Sequence, residues 1–363
     1  MSAETTDQTP PAERPIRNIA GPLDRLSYRL AQTVRTGWFA GHYALTARLS
    51  PPTRRDESPE EPVPLPSWQT INEDLKTLFE RDWANIEAGL YRPPHDMWPN
   101  PLAVLRQSLR YFDDLGQVND RKRDRRGDEV FSPEHRGRYP RYYLQNFHYQ
   151  SDGYLSDASA ALYDYQVEVL FTGGADAMRR QLLVPLRAAF ADRRIRDTHL
   201  LDIACGTGRF LSFVKDNYPR LRVTGMDLSA PYLTRARRML RHWSRSHLAV
   251  GNAETLPAAD ASIDIATCIF LFHEVPHAVR RRIATEIARV LKPNGVLLFM
   301  DSIQRGDRTD YDPLLERFPQ AMHEPYYADY VRDDLSGLFR DAGFEVDLVR
   351  REFFARMMVL RRL

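Results

Sequence analysis

The sequence predicts an α/β fold: an open, mostly parallel sheet with helices on both faces, preceded by a helical extension. Three observations predict it. Residues 199–211, HLLDIACGTGRFL, read as a buried strand, an acid at its carboxyl end, a glycine turn and an opening helix. Short apolar runs then recur at 222–229, 248–250, 263–272 and 292–300, as the strands of such a sheet would. Before them, residues 21–112 carry apolar side chains at helical spacing. With 363 residues, 43% of them hydrophobic, the chain can bury one large core and carry an extension.

The first strand and turn hold the chemistry. Gly206 and Gly208 let the backbone turn tightly and approach a ligand where a Cβ would collide. A dinucleotide fingerprint, G-x-G-x-x-G, would need glycines where Ala204, Gly206 and Arg209 stand, so two of three places fail. Asp202 would repel a pyrophosphate and hold an ammonium group. The stretch Asp202-Ile-Ala-Cys-Gly-Thr-Gly208 resembles the first motif of the class I S-adenosylmethionine-dependent methyltransferases. In that family the acid faces the amino group of the methionine moiety, and Ala204 replaces the usual first glycine.

Three later stretches extend the resemblance in order. The strand 222–227 ends in Asp227, whose carboxylate can accept both hydroxyls of a ribose. Residues 251–257, GNAETLP, are similar to the adenine-side motif, with Asn252 where the family usually has Asp; an amide can both accept and donate there. The runs 263–272 and 292–300 stand where the family has its fourth and fifth strands. The resemblance implies a Rossmann-like seven-stranded sheet of order 3-2-1-4-5-7-6, its last two strands at 344–350 and 354–360. It also implies S-adenosyl-L-methionine as cofactor, bound by Asp202, Ala204, Gly206, Gly208, Asp227, Leu228, Asn252, Ala253, Glu254 and Ile269.

Composition narrows the partners. Fifty-one basic and 49 acidic residues leave a net charge of +2, which makes no electrostatic case for nucleic acid. The loop after the fourth strand, Phe272-His-Glu-Val-Pro276, also lacks the Asp/Asn-Pro-Pro-aromatic turn of enzymes that methylate base amino groups. Two cysteines, Cys205 and Cys268, form no metal-ligand set and point to a reducing compartment. With no signal-peptide pattern and no apolar run of membrane-spanning length, the expected location is cytoplasmic, with peripheral membrane contact as an option.

The extension divides into a tail (1–20), an amphipathic helix (21–50), a linker with six prolines (51–66) and a helical region (67–138). In 21–50, Leu23, Leu26, Leu30, Val34, Trp38, Leu45 and Leu49 form a stripe, with Arg25, Arg29, Arg35 and Arg48 outside it and a charge of 4 − 1 = +3. Two arrangements fit: docking on an anionic membrane surface, or packing on the protein's own core or a partner subunit. Thr70 and Glu73 have capping-box spacing for a helix over 67–90 that presents Ile71, Leu75, Leu78, Phe79, Trp83 and Ile86 and ends at Gly89. Asn100 and Pro101 open another helix carrying Leu102, Leu105, Leu109 and Phe112, before a charged connection at 119–138.

Residues 139–363 are the expected methyltransferase domain, opening with an aromatic lid over 139–190 that contains helices at 156–171 and 176–190. Rings with polar tips suit a site that is apolar in body yet fixes orientation. Candidate acceptor contacts are His148, Tyr149 and Tyr154 in the lid, and His323, Tyr326 and Tyr327 in the insertion at 313–330. Methyl transfer is an in-line displacement, so alignment supplies most of the catalysis and a base is needed only if the acceptor loses a proton. His273 is the candidate base and Glu274 its orienter; alternatively His273 bonds backbone and Glu274 favours the next helix start. The expected activity is methylation of a small apolar or aromatic acceptor: a lipid, a quinol or a phenol. A scaffold that binds the cofactor without catalysis, or a protein or peptide methyltransferase, are the alternatives. Acceptor identity and oligomeric state are not encoded in any motif.

Overall fold

The computed structural model describes residues 21–51 and 64–363. The expected tail at 1–20 and most of the expected linker, 52–63, lie outside the described residues. Strands β1 (His199–Ile203), β2 (Arg222–Asp227), β3 (Ser246–Val250), β4 (Ile263–Ile269), β5 (Leu291–Ser302), β6 (Phe344–Glu352) and β7 (Ala355–Arg362) form one sheet. Its order is β3-β2-β1-β4-β5-β7-β6, as the resemblance implies. The first five run parallel, and β7 inserts antiparallel between β5 and β6. Consecutive residues feed opposite faces: Leu200, Leu298 and Met357 enter one core, while Leu201, Leu297 and Met358 enter the other.

Helices in chain order are α1 (Pro22–Leu49), α2 (Trp68–Glu87), α3 (Pro101–Asp124), α4 (Asp157–Leu170), α5 (Ala175–Arg180) and α6 (Leu183–Ala188). They continue with α7 (Arg209–Asn217), α8 (Ala230–Leu240), α9 (His277–Val290), α10 (Asp312–Met322), α11 (Tyr327–Tyr330) and α12 (Leu335–Asp341). Helices α7 and α8 pack on the first core, and α9 and α12 on the second.

Five local expectations need correction. The stripe expected to define α1 faces solvent except at Trp38, whose indole donates to Tyr165 OH; the helix packs instead through Tyr28, Ala31, Phe39 and His42. Polar groups decide this, because Tyr28 donates to buried Asp82 (2.5 Å) and His42 meets Ser108 (2.6 Å). Helix α2 is capped by Ser67, which accepts from Thr70 N, rather than by a Thr70–Glu73 box. Helix α3 runs to Asp124, into the expected connection, and Arg121 turns inward to Glu129 and Ser151. The expected helix at 176–190 is two short ones. The fourth strand stops at Ile269, short of 272. Asp301, at the end of β5, takes the Leu271 and Phe272 amides (3.0 and 2.7 Å) and draws the chain out of the sheet.

Buried ion pairs fasten the extension to the sheet domain. Arg35 of α1 reaches Glu168 (2.7 Å) and Asp176 (3.0 Å), and Asp176 also accepts from Arg209, the first residue of α7 (2.5 Å). Arg180 and Tyr91 join Tyr28 on Asp82 of α2. Among the described residues, no helix is long and apolar enough to cross a membrane.

Candidate functional site

After β1 the chain turns through three residues of positive φ: Ala204 (+55°), Gly206 (+53°) and Gly208 (+76°). A Cβ on Gly206 would meet no atom within 4 Å, so the turn presents bare backbone to open space. A Cβ on Gly208 would lie 3.1 Å from the Ala236 Cβ, so close packing of α8 is what requires glycine there. Asp227 accepts from Gly206 N and Ser229 N, both at 2.8 Å. Burial raises its carboxyl pKa, and those amides oppose the rise.

The turn floors a cleft of about 780 Å³. Seven of the ten expected cofactor residues line it: Ala204, Gly206, Asp227, Leu228, Asn252, Ala253 and Ile269. Tyr142, Tyr143, Phe147, Tyr154 and Tyr163 from the aromatic segment close its other side. Asp202, Gly208 and Glu254 stand outside the lining. Asp202 is buried and accepts from Thr267 Oγ1 (2.6 Å); burial and the nearby Asp227 push its pKa up to about 7 against that hydrogen bond. Glu254 accepts from Tyr142 OH and Arg282 Nε, both at 2.6 Å, and so ties the aromatic segment to the loop after β3.

A second cavity, with about 1100 Å³ of empty space, adjoins the first; Tyr163, Phe270 and Glu274 line both. Its walls come from α1 (Tyr43), α2 (Trp68, Ile71), α4 (Val167, Leu170), α10 (Leu314, Leu315, Phe318) and the β6–β7 turn (Phe354). Polar groups are few. His148, His273, Glu274, Ser302 and Tyr327 are among them, with Ser302 Oγ and Tyr327 OH 2.7 Å apart.

The six expected acceptor contacts separate. His148 and Tyr327 line the second cavity, and Tyr154 lines the cleft and donates to Glu274 Oε1 (2.5 Å). Tyr149, His323 and Tyr326 line neither. The Tyr149 and His323 rings pack 5.3 Å apart, and His323 Nε2 lies 3.1 Å from Gln145 Oε1, fastening a loop. Tyr326 packs against the cluster of Phe147, Tyr154 and Tyr232.

His273 is buried, and its Nδ1 lies 2.6 Å from Asp301 Oδ1. Burial pulls its pKa down, but Asp301, Glu274 and Glu324 overcome that and push it up to about 9. Glu274, 3.8 Å from His273 Nε2, is pushed up to about 7 by burial and by Glu324, against the pull of His273. At neutral pH the imidazole therefore carries its proton, and the carboxyl titrates. This reverses the pKa order expected of a histidine base oriented by a glutamate.

Asp301 was missed from sequence, although an acid at the carboxyl end of β5 mirrors Asp227 at the end of β2. Phe270, at φ +56° where the chain leaves β4, was missed too; it lines both spaces.

A family model described as a methyltransferase domain matches residues 200–295. The chain is 32% identical over 152 residues to an O-methyltransferase, cnsE, of Penicillium expansum, covering 41% of this chain and 52% of that protein. It is 30% identical over 185 residues to a demethylmenaquinone methyltransferase of Thermotoga maritima, covering 51% of this chain and 72% of that one. The match thus spans about half the length of the first relative. Among solved structures, a SAM-dependent methyltransferase from Methanosarcina mazei aligns with a TM-score of 0.38 at 23% identity, over 46% of this chain and 93% of that chain. By its strand order, its motifs and these relatives, the chain belongs to the class I S-adenosylmethionine-dependent methyltransferases.

Proposed function

We propose that the protein methylates a small, largely apolar acceptor held in the second cavity. One observation carries the reading: a partly open, mostly hydrocarbon space meets the cofactor cleft at Phe270, Tyr163 and Glu274, with His273 beside them. A concave space lined mainly by hydrocarbon, with few polar groups, suits a small molecule better than a peptide chain. The Thermotoga maritima relative, named for demethylmenaquinone, accords with an apolar ring acceptor.

The cleft fits its cofactor. Gly206 leaves the space that a Cβ would fill, and Asp227, Asn252 and Ala253 place acceptors and donors along one wall. S-adenosylmethionine supplies a sulfonium methyl whose departure needs no metal or redox partner. The chain aligns and encloses the reactants. Asp227 holds the ribose, the Asn252 loop holds the adenine, and the tyrosine wall excludes water.

Protons are handled at the junction. Nδ1 of His273 is occupied by Asp301, so Nε2–H is the group that can donate to an acceptor oxygen and orient it. The Glu274 carboxylate takes the proton released as the acceptor's new bond to methyl forms. The acceptor would lose H⁺ to Glu274 as it gains the methyl group that the cofactor would supply.

The test is transfer of labelled methyl from S-adenosylmethionine to a panel of lipophilic quinols, phenols and fatty acids. Label in organic-extractable product supports the reading. Label found only in protein, or no transfer despite bound cofactor, overturns it.

A further inference from the structure

We propose that α1 and α3 form a docking face for an anionic lipid bilayer. Of the 18 large hydrophobic side chains exposed among the described residues, 14 lie between Leu23 and Leu109, in the extension. Residues 139–363, about twice as many as the described extension, expose only Val250, Leu348, Val349 and Leu363. Such concentration marks a contact surface rather than ordinary surface scatter.

The exposed residues form a continuous face. Hydrogen bonds from Trp98 to Ser27, between Ser108 and His42, between Tyr111 and Thr46, and from Asn119 to the Leu49 carbonyl lay α3 beside α1 in the same direction. Both helices turn inward toward α4, through Trp38–Tyr165 and through Gln107–Ala161. Leu26, Leu30 and Val34 on α1, and Leu102, Leu105 and Leu109 on α3, therefore flank the seam on its outer side.

Charge selects the occupant. Arg25, Arg29, Arg48, Arg106 and Arg110 are exposed in this stretch and form no ion pair among the described residues. Asp24 is the only acid exposed on α1, and residues 101–112 of α3 contain none. A second copy seated on this face would set arginines against arginines, whereas anionic headgroups would neutralise them while acyl chains cover the leucines. At 28 residues α1 has the length of an interfacial helix but not the hydropathy of a spanning one. The exposed lining residues of the second cavity among the described residues, Tyr43 of α1 and Trp68 of α2, lie apart from the Leu30–Val34 face.

Sedimentation of the full chain with vesicles tests this without cofactor or acceptor. Phosphatidylglycerol-containing vesicles should bind at least about tenfold more protein than pure phosphatidylcholine, and 0.5 M salt should reduce the difference. The double variant Leu30→Gln/Leu105→Gln should partition about tenfold less. Arg29→Glu/Arg106→Glu should erase the preference for anionic lipid. These side chains are exposed, so cofactor-binding heat should match the parent and certify folding. Equal binding to both lipids, or unchanged partition of the leucine variant, overturns the proposal. So does a parent dimer that the leucine variant converts to monomer, because the face would then be a protein interface. Failed partition leaves the proposed methylation standing, and failed methylation with intact partition leaves the docking face standing.

Discussion

The cofactor cleft and the adjoining apolar cavity share three residues yet are built on opposite plans. The cleft draws its floor and one wall from short contiguous segments at the ends of β1, β2, β3 and β4, with Asp227 and Asn252 among the polar residues of that wall. The cavity draws single side chains from α1, α2, α4, α10 and the β6–β7 turn, far apart in sequence, and its surface is hydrocarbon. The contrast teaches that polar recognition of an invariant ligand concentrates in turns. Accommodation of a variable apolar ligand is spread over packing.

If the two spaces are functionally separate, substitutions should divide by parameter. Asp227→Ala should weaken cofactor affinity about 100-fold or more by calorimetry, since each lost charge-assisted hydrogen bond is worth about 1.5–3 kcal/mol. Its circular dichroism should stay native; equal affinity would dissolve the assignment of the cleft. His273→Ala should lower turnover about 10²–10³-fold while leaving cofactor affinity within about twofold. Asp301→Asn should act in the same direction and also lower the melting temperature, because Asp301 accepts three backbone amides.

Leu314→Trp would crowd the cavity alone, raising the acceptor KM by about tenfold at constant cofactor affinity. A parallel loss of cofactor binding would show the two spaces to be one. The pH profile probes the junction. Activity should rise through about pH 7 as Glu274 ionises and fall above about pH 9 as His273 loses its proton, with His148, Glu324, Asp301 and Tyr154 the neighbouring groups that set both limbs. Glu274→Gln should remove the acidic limb along with most activity. The smallest effect belongs to the extension: Tyr28→Phe, which removes a hydrogen bond to Asp82, should cost about 1–3 kcal/mol of stability and leave kinetics unchanged.

Much of the sheet was readable in advance because its code is local. An apolar run, an acid and a glycine turn specify the first strand, ligand wall and helix start within about a dozen residues, and the strand order followed from the resemblance that the later motifs extend. Seven of ten expected cofactor residues line the cleft for that reason. Asp202 departs from expectation because Thr267, on the neighbouring strand β4, takes up its carboxylate. Tyr149 and His323 share the composition of acceptor residues but pack on each other, and aromatic content alone cannot distinguish a wall from a brace.

Local patterning thus placed the strands and the helices, since hydrogen-bond geometry and side-chain period act between near neighbours, and the resemblance of the turns to the family's motifs supplied the ligand. Three matters rested with distant contacts. Which face of α1 is buried depends on Asp82 and Ser108, 54 and 66 residues away from their partners Tyr28 and His42. The proton on His273 is held by Asp301, 28 residues on, whose proximity exists only in the folded sheet. The apolar cavity itself is a space left between five elements, and a void has no sequence of its own.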